Sequence, residues 1–232
     1  MSTGKPRGFR FPWVVVQHAV WPYARFTHSL RDVEELLAER GTVGSYGTVR
    51  ARFARFGPAI ARGLQARRGR SSGRWHPDEV FAAVGGQRVH PWRAVDGEGE
   101  VLDVLVQARR DKAAALRLMR KLLRRRGARP EALVTDGLGS HAAAAREPGL
   151  SAVHVRTRRA DNRAGGSHVP IRLREREMRR FRRPGSARRF PAVHAAVANT
   201  FGTFRHLVPA RSHRLLRAEA FAAWRDAVVL AA

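Results

Sequence analysis

The chain has no cysteine in its 232 residues. That excludes a disulfide scaffold and any cysteine-ligated zinc site. It is poor in acid: 19 Asp and Glu stand against 45 Lys and Arg, a net charge of +26. A chain so basic repels itself unless it meets a polyanion. No apolar run approaches the roughly 18 residues that a membrane-spanning helix needs. Near the N-terminus, Lys5, Arg7 and Arg10 precede the short stretch Phe11–Val16. Pro12, Gln17 and His18 interrupt it and no small-residue cleavage site follows, so no signal peptide is expected. Several catalytic signatures are also missing: a Gly-x-x-x-x-Gly-Lys-Ser/Thr phosphate loop, a His-Glu-x-x-His zinc motif and a Gly-x-Ser-x-Gly elbow. What the chain does have is a core-forming composition, 44% hydrophobic and 8% aromatic, more than a disordered basic tail carries. A folded, cytoplasmic protein with a nucleic-acid partner and no membrane contact is expected. The length suits about one and a half domains of roughly 150 residues each.

The segment 1–68 reads as helical. Ser29-Leu30-Arg31-Asp32 has the form of a capping box. Leu30, Val33, Leu36 and Leu37 then share one helical face. Gly41 ends that helix, and Ser45 is positioned to cap a second, whose apolar stripe is Val49, Phe53, Phe56 and Ile60. Arg50, Arg52 and Arg55 are expected off that stripe, facing solvent. Helix, glycine turn, basic helix is the pattern of a helix-turn-helix, whose second helix enters the major groove of DNA. The basic, glycine-rich stretch 69–74 reads as a linker.

Beyond it the periodicity changes. Asp78–Val84 is an apolar run that stops at the turn Gly85-Gly86 and predicts a first strand, opened by Asp78. Arg88–Asp96 predicts a second, weakened by Pro91, and Val101–Val106 a third after the turn Asp96-Gly97-Glu98-Gly99. Asp111 is placed to cap a helix with Ala115, Met119 and Leu122 inside. Glu131–Thr135 predicts a buried strand closed by Asp136, and Ser140–Arg146 a helix. Three strands, helix, strand, helix is an α/β arrangement with a mixed sheet. Carboxylates on neighbouring strands of one sheet can converge on a hard cation such as Mg²⁺ or Mn²⁺. Asp78 and Asp136 are the candidates.

These segments resemble, in order, the transposases of the insertion sequence six family. The resemblance lies in Leu30–Gly41, Arg74–Val80, Trp92–Asp96, Val101–Gln107, Leu133–Asp136, Asp161–Ala164, Arg174–Phe181 and Arg214–Arg217. It implies a ribonuclease H-like DDE core over 75–190, followed by a C-terminal helical region over 191–232. It also implies two aspartates and a glutamate that bind two Mg²⁺ (or Mn²⁺) ions. The family's enzymes cut at inverted-repeat ends and join the freed 3′-hydroxyl to target DNA, so double-stranded DNA and a homo-oligomer assembled on it are the implied partners. Asp78 matches the first aspartate and Asp136 the second. The third carboxylate falls at Gly165, in Asp161-Asn162-Arg163-Ala164-Gly165-Gly166-Ser167-His168. Glycine carries no ligand atom and weakens a helix by about 1 kcal/mol. Gly47, Gly137 and Gly139 depart from the family in the same direction, since charged residues are usual there. Asp161, one helical turn earlier, is the available substitute. Impaired strand transfer is therefore expected, with a DNA-binding relic or repressor of the element as the alternative. The Arg174, Arg176, Arg179, Arg180 cluster is expected on the DNA backbone, where binding weakens steeply with salt.

Overall fold

The computed structural model describes residues 12–26, 28–69, 73–79, 81–136, 139–157, 173, 176, 184–203 and 205–231. In chain order its elements are α1 (Trp13–Arg25), α2 (Leu30–Ala38), α3 (Tyr46–Ala66), β1 (Arg74–Glu79), β2 (Ala82–Val84), β3 (Gln87–Asp96), β4 (Val101–Gln107), α4 (Lys112–Arg126), β5 (Ala132–Thr135), α5 (Gly139–Arg146), β6 (His154–Arg156), α6 (Pro184–Thr200) and α7 (Ala210–Leu230). They divide between two units: residues 1–68 with 192–232, and residues 69–191. The C-terminal segment from Ala192 thus completes the unit that the N-terminal helices begin. Among the described residues no helix is long and apolar enough to cross a membrane.

The helical unit owes its N-terminal order to local caps. Ser29 Oγ accepts from the Asp32 amide, and the Ser29 amide donates to Asp32 Oδ2 at 2.6 Å. This is the reciprocal capping box that starts α2. Gly41 takes φ +69°, a left-handed conformation that glycine adopts without penalty. Ser45 Oγ accepts from the Thr48 amide and starts α3. The α3 stripe Val49, Phe53, Phe56, Ile60 and Leu64 is buried. Phe56 meets Trp13 edge-on at 5.1 Å and Phe53 meets Tyr23 at 4.7 Å. From α7 come Ala220, Trp224, Ala227 and Val228, also buried. Arg52 corrects the expectation of a solvent-facing residue: it is 4% exposed. It lies three residues after Val49 and four before Phe56, so helical geometry turns it to the apolar side.

The second unit is a six-stranded mixed sheet. β1 and β4 flank β3 antiparallel, and β5 and β6 continue parallel from β1. This is the ribonuclease H-like arrangement. The first strand differs from the expected Asp78–Val84: β1 starts at Arg74, and Asp78 is its fifth residue. The cause is Trp75, which pairs with Asp96 on β3 and Leu133 on β5 and is 2% exposed. Burial of that indole draws Arg74–Pro77 into the sheet despite the proline.

Both strand prolines sit where a ladder is one-sided. β1 pairs with β5 only at Arg74 and Trp75, so Pro77 lies past that ladder. On its other edge β3 pairs with β2 up to Val89 and with β1 from Trp92, so Pro91 falls in the gap. A residue without an N–H costs least there.

Trp75, Trp92, Leu102 and Leu133 of the sheet pack with Leu118, Met119 and Leu122 of α4 and with Ala144 and Ala145 of α5. Asp111 Oδ1 caps α4 at the Ala114 amide, 2.8 Å away.

Candidate active site

β1 and β5 run parallel in the register Arg74 with Ala132 and Trp75 with Leu133. Three residues further along each strand come Asp78 and Asp136. The ladder itself stops at Trp75 and Leu133, and both aspartates lie near the carboxyl ends of these neighbouring strands, where each acts on Glu79 and His141. Asp78 is partly exposed near the end of β1, and Asp136 follows the last residue of β5. Side chains alternate along a strand, so Glu79 turns to the opposite face from Asp78. It lies across from Trp92 on β3.

That placement buries the Glu79 side chain to 2% exposure. Arg110 donates Nε–H to Glu79 Oε1. Glu79 Oε2 faces His141 Nε2 at 3.5 Å, and His141 Nδ1 faces Asp136 Oδ1 at 3.6 Å. The ring of His141 meets Trp92 edge-on at 5.3 Å. On the far side of β5, Thr135 Oγ1 and His154 Nε2 are 2.9 Å apart. The result is a line of polar groups, Arg110, Glu79, His141 and Asp136, running from the sheet interior to its end.

Electrostatics agree with the geometry. Burial pushes Glu79 up to about 7; Arg110 works against it, while Asp78 and Asp136 add to it. Burial holds His141 below the usual histidine range, opposed by Asp136 and Asp78. Both aspartates therefore act on both buried groups. A neutral imidazole carries one N–H. With carboxylates facing both ring nitrogens, that one N–H can serve only one of them at a time.

Asp78 and Asp136 could hold a hard divalent cation, because carboxylate oxygens are the ligands such ions take. Among the described residues no group of three or more His, Asp or Glu is arranged to hold a metal ion. Gly165 and Asp161 lie outside the described residues, as do Arg174, Arg179 and Arg180.

Residues 72–203, more than half of the chain, match the family described as DDE domain. The chain belongs to the insertion sequence six family of DDE transposases. Its relatives include the transposase for insertion sequence-like element IS431mec of Staphylococcus aureus strain N315. That protein is 30% identical over 122 residues, which cover 53% of this chain and 54% of the relative. The transposase for insertion sequence element IS257 in transposon Tn4003, also from Staphylococcus aureus, is 28% identical over the same length. The chain spans about half the length of the curated relatives it matches.

Of the other expected site residues of this DDE chain, Arg50 and Arg55 lie on the exposed side of α3, and Arg176 is exposed. Arg50 and Arg31 both stand over the Tyr46 ring, 5.8 and 5.7 Å from its centroid. The sequence reading missed Arg31, Glu79, Arg110 and His141. Glu79 could have been flagged as an acid inside an apolar strand, and His141 as the one histidine in an alanine-rich helix. Arg110 carries no local signal.

Proposed function

We propose that the chain is a DNA strand transferase of an insertion sequence whose chemistry is impaired by the residue at position 165. What supports the reading is that Asp78 and Asp136, near the carboxyl ends of neighbouring parallel strands, both act on the same buried pair, Glu79 and His141. In this reading they hold Mg²⁺ or Mn²⁺. The bound metal would activate the attacking oxygen and stabilise the leaving one in phosphoryl transfer. Water would attack the phosphodiester at the element end and free a 3′-hydroxyl. That hydroxyl would then attack a target phosphodiester, joining to its phosphorus and displacing the target strand's 3′-oxygen as a hydroxyl. Terminal inverted repeats would be read by the N-terminal helices, with Arg50 and Arg55 toward DNA. Arg174, Arg176, Arg179 and Arg180 would contact the backbone, in a homo-oligomer assembled on the DNA.

Gly165 favours a second reading as well, a DNA-binding relic or repressor that holds element ends without cutting them. One experiment separates the two. Gly165→Glu supplies a carboxylate where the family's third one falls, so Mg²⁺-dependent 3′-end cleavage of inverted-repeat DNA is expected to rise. Asp78→Ala in that background should abolish the gain. If the unmodified chain already cleaves its ends efficiently, and Asp161→Ala stops it, impairment is refuted and Asp161 is the third ligand.

A further inference from the structure

Asp136 follows the last residue of β5, beyond the ladder that holds Thr135. His141 Nδ1 faces its Oδ1 at 3.6 Å. The histidine sits in the first turn of α5, is 0% exposed and rests against the edge of Trp92. Neither ring nitrogen has a hydrogen-bond partner among the described residues. The carboxylates at 3.5 and 3.6 Å are slightly beyond hydrogen-bond length. A buried polar atom left unmatched is destabilising, so there is a drive to close those two gaps. Glu79 is itself fixed, by burial and by Arg110 at Oε1.

We propose that His141 is a positioning residue for the metal site. Braced at Nε2 by Glu79, it holds the Asp136 carboxylate through Nδ1 in the orientation that shares a divalent cation with Asp78. This rests on the reading of Asp78 and Asp136 as metal ligands. Groups that hold a ligating side chain typically carry about 10–100-fold in metal affinity or activity. A histidine that merely fills the core would carry none of that affinity.

The test uses the two amides that each imitate one ring nitrogen. In His141→Asn the amide nitrogen falls near Nδ1 and reaches Asp136. In His141→Gln it falls near Nε2 and reaches Glu79 only. Mn²⁺ affinity of the full chain is read by electron paramagnetic resonance, and the melting temperature is read in chelator. We expect His141→Asn to keep near-parental affinity. His141→Gln should lose about 10–100-fold, although both variants lower the melting temperature alike. Equal affinities in the two variants would overturn the brace. Asp136→Asn is measured in parallel and should weaken Mn²⁺ binding. If it does not, the ligand assignment fails and the brace falls with it. If it does while His141→Gln binds as the parent does, only the brace fails. Should the His141 variants not fold, Glu79→Leu takes their place. It removes the brace on an apolar face, and is expected to cost about tenfold in Mn²⁺ affinity. Parental affinity in that variant would be an equally clear refutation.

Discussion

Gly63 offers the most direct check on how the helical unit is built. It lies inside α3, where glycine is ordinarily replaced by alanine with a gain of about 1 kcal/mol. Here a Cβ would meet Ala227 of α7, at 3.1 Å from its Cβ and 3.2 Å from its Cα. Carbon atoms are at optimal contact near 3.5–4.0 Å, and a helix backbone cannot swing aside as a side chain can. Overpacking of this kind costs about 1–3 kcal/mol. The balance for Gly63→Ala is a net destabilisation of about 1 kcal/mol. Gly47→Ala, in the first turn of the same helix, is the control. There the new Cβ meets only Ser45 Oγ, at 3.5 Å, so the propensity gain of about 0.5–1 kcal/mol survives.

The two substitutions are chemically identical and should have opposite signs. Because the chain has two units, a single unfolding midpoint would mix them. Hydrogen exchange of α3 peptides resolves the unit concerned. Protection should fall about fivefold in Gly63→Ala and rise in Gly47→Ala. If Gly63→Ala raises protection as Gly47→Ala does, α7 does not cross α3 closely at Gly63, and completion of the unit by the C-terminal segment is refuted.

Other outcomes follow from single side chains. Asp103 is buried in β4, with Lys121 Nζ at 2.9 Å and Arg125 Nη1 at 3.3 Å. Replacing both cations by methionine leaves that carboxylate uncompensated and should cost about 3–5 kcal/mol, seen as loss of the sheet unit's melting transition. Ser29→Ala removes the α2 capping bond and should cost about 1 kcal/mol in urea unfolding. Joint replacement of Arg50 and Arg55 by alanine should flatten the dependence of log affinity on log salt by about 0.9 for each phosphate no longer neutralised. Arg52→Ala, from the buried side of α3, should lower stability and leave that slope unchanged; a flattened slope would return Arg52 to the DNA-facing side.

What could be read from the sequence was whatever is encoded locally. The capping box at Ser29 and Asp32, the N-caps at Ser45 and Asp111, and the stripe from Val49 to Ile60 each occupy a short stretch of chain. Each is present in the structure. Arg52 was misplaced because its chemistry was weighed above its position on the helix. The start of β1 was misplaced because Pro77 reads as a breaker; what overrides it is the non-local burial of Trp75 between β3 and β5. β6, three residues long, has too little pattern to announce itself. The line from Arg110 through Glu79 to His141 joins residues far apart in the chain, and no spacing rule connects them.

Asp78 and Asp136 were singled out for a different reason, by elimination among few acids. Acids are scarce in this chain, and five of those in the sheet unit have structural work. Asp96 Oδ1 accepts from the Glu98 and Glu100 amides and shapes the β3–β4 turn. Asp103 neutralises Lys121 and Arg125 from the interior of β4. Asp111 caps α4. Glu147 receives Lys112 and Arg120 at the surface. Glu79 is held by Arg110 beneath the sheet end. Each of these carboxylates points at a cation or an amide that fixes part of the fold. Asp78 and Asp136 differ in their place in the sheet: they lie near the carboxyl ends of adjacent parallel strands, where open α/β sheets place their ligands. Under the reading proposed above, the mutual repulsion of these two carboxylates is what a divalent cation would relieve.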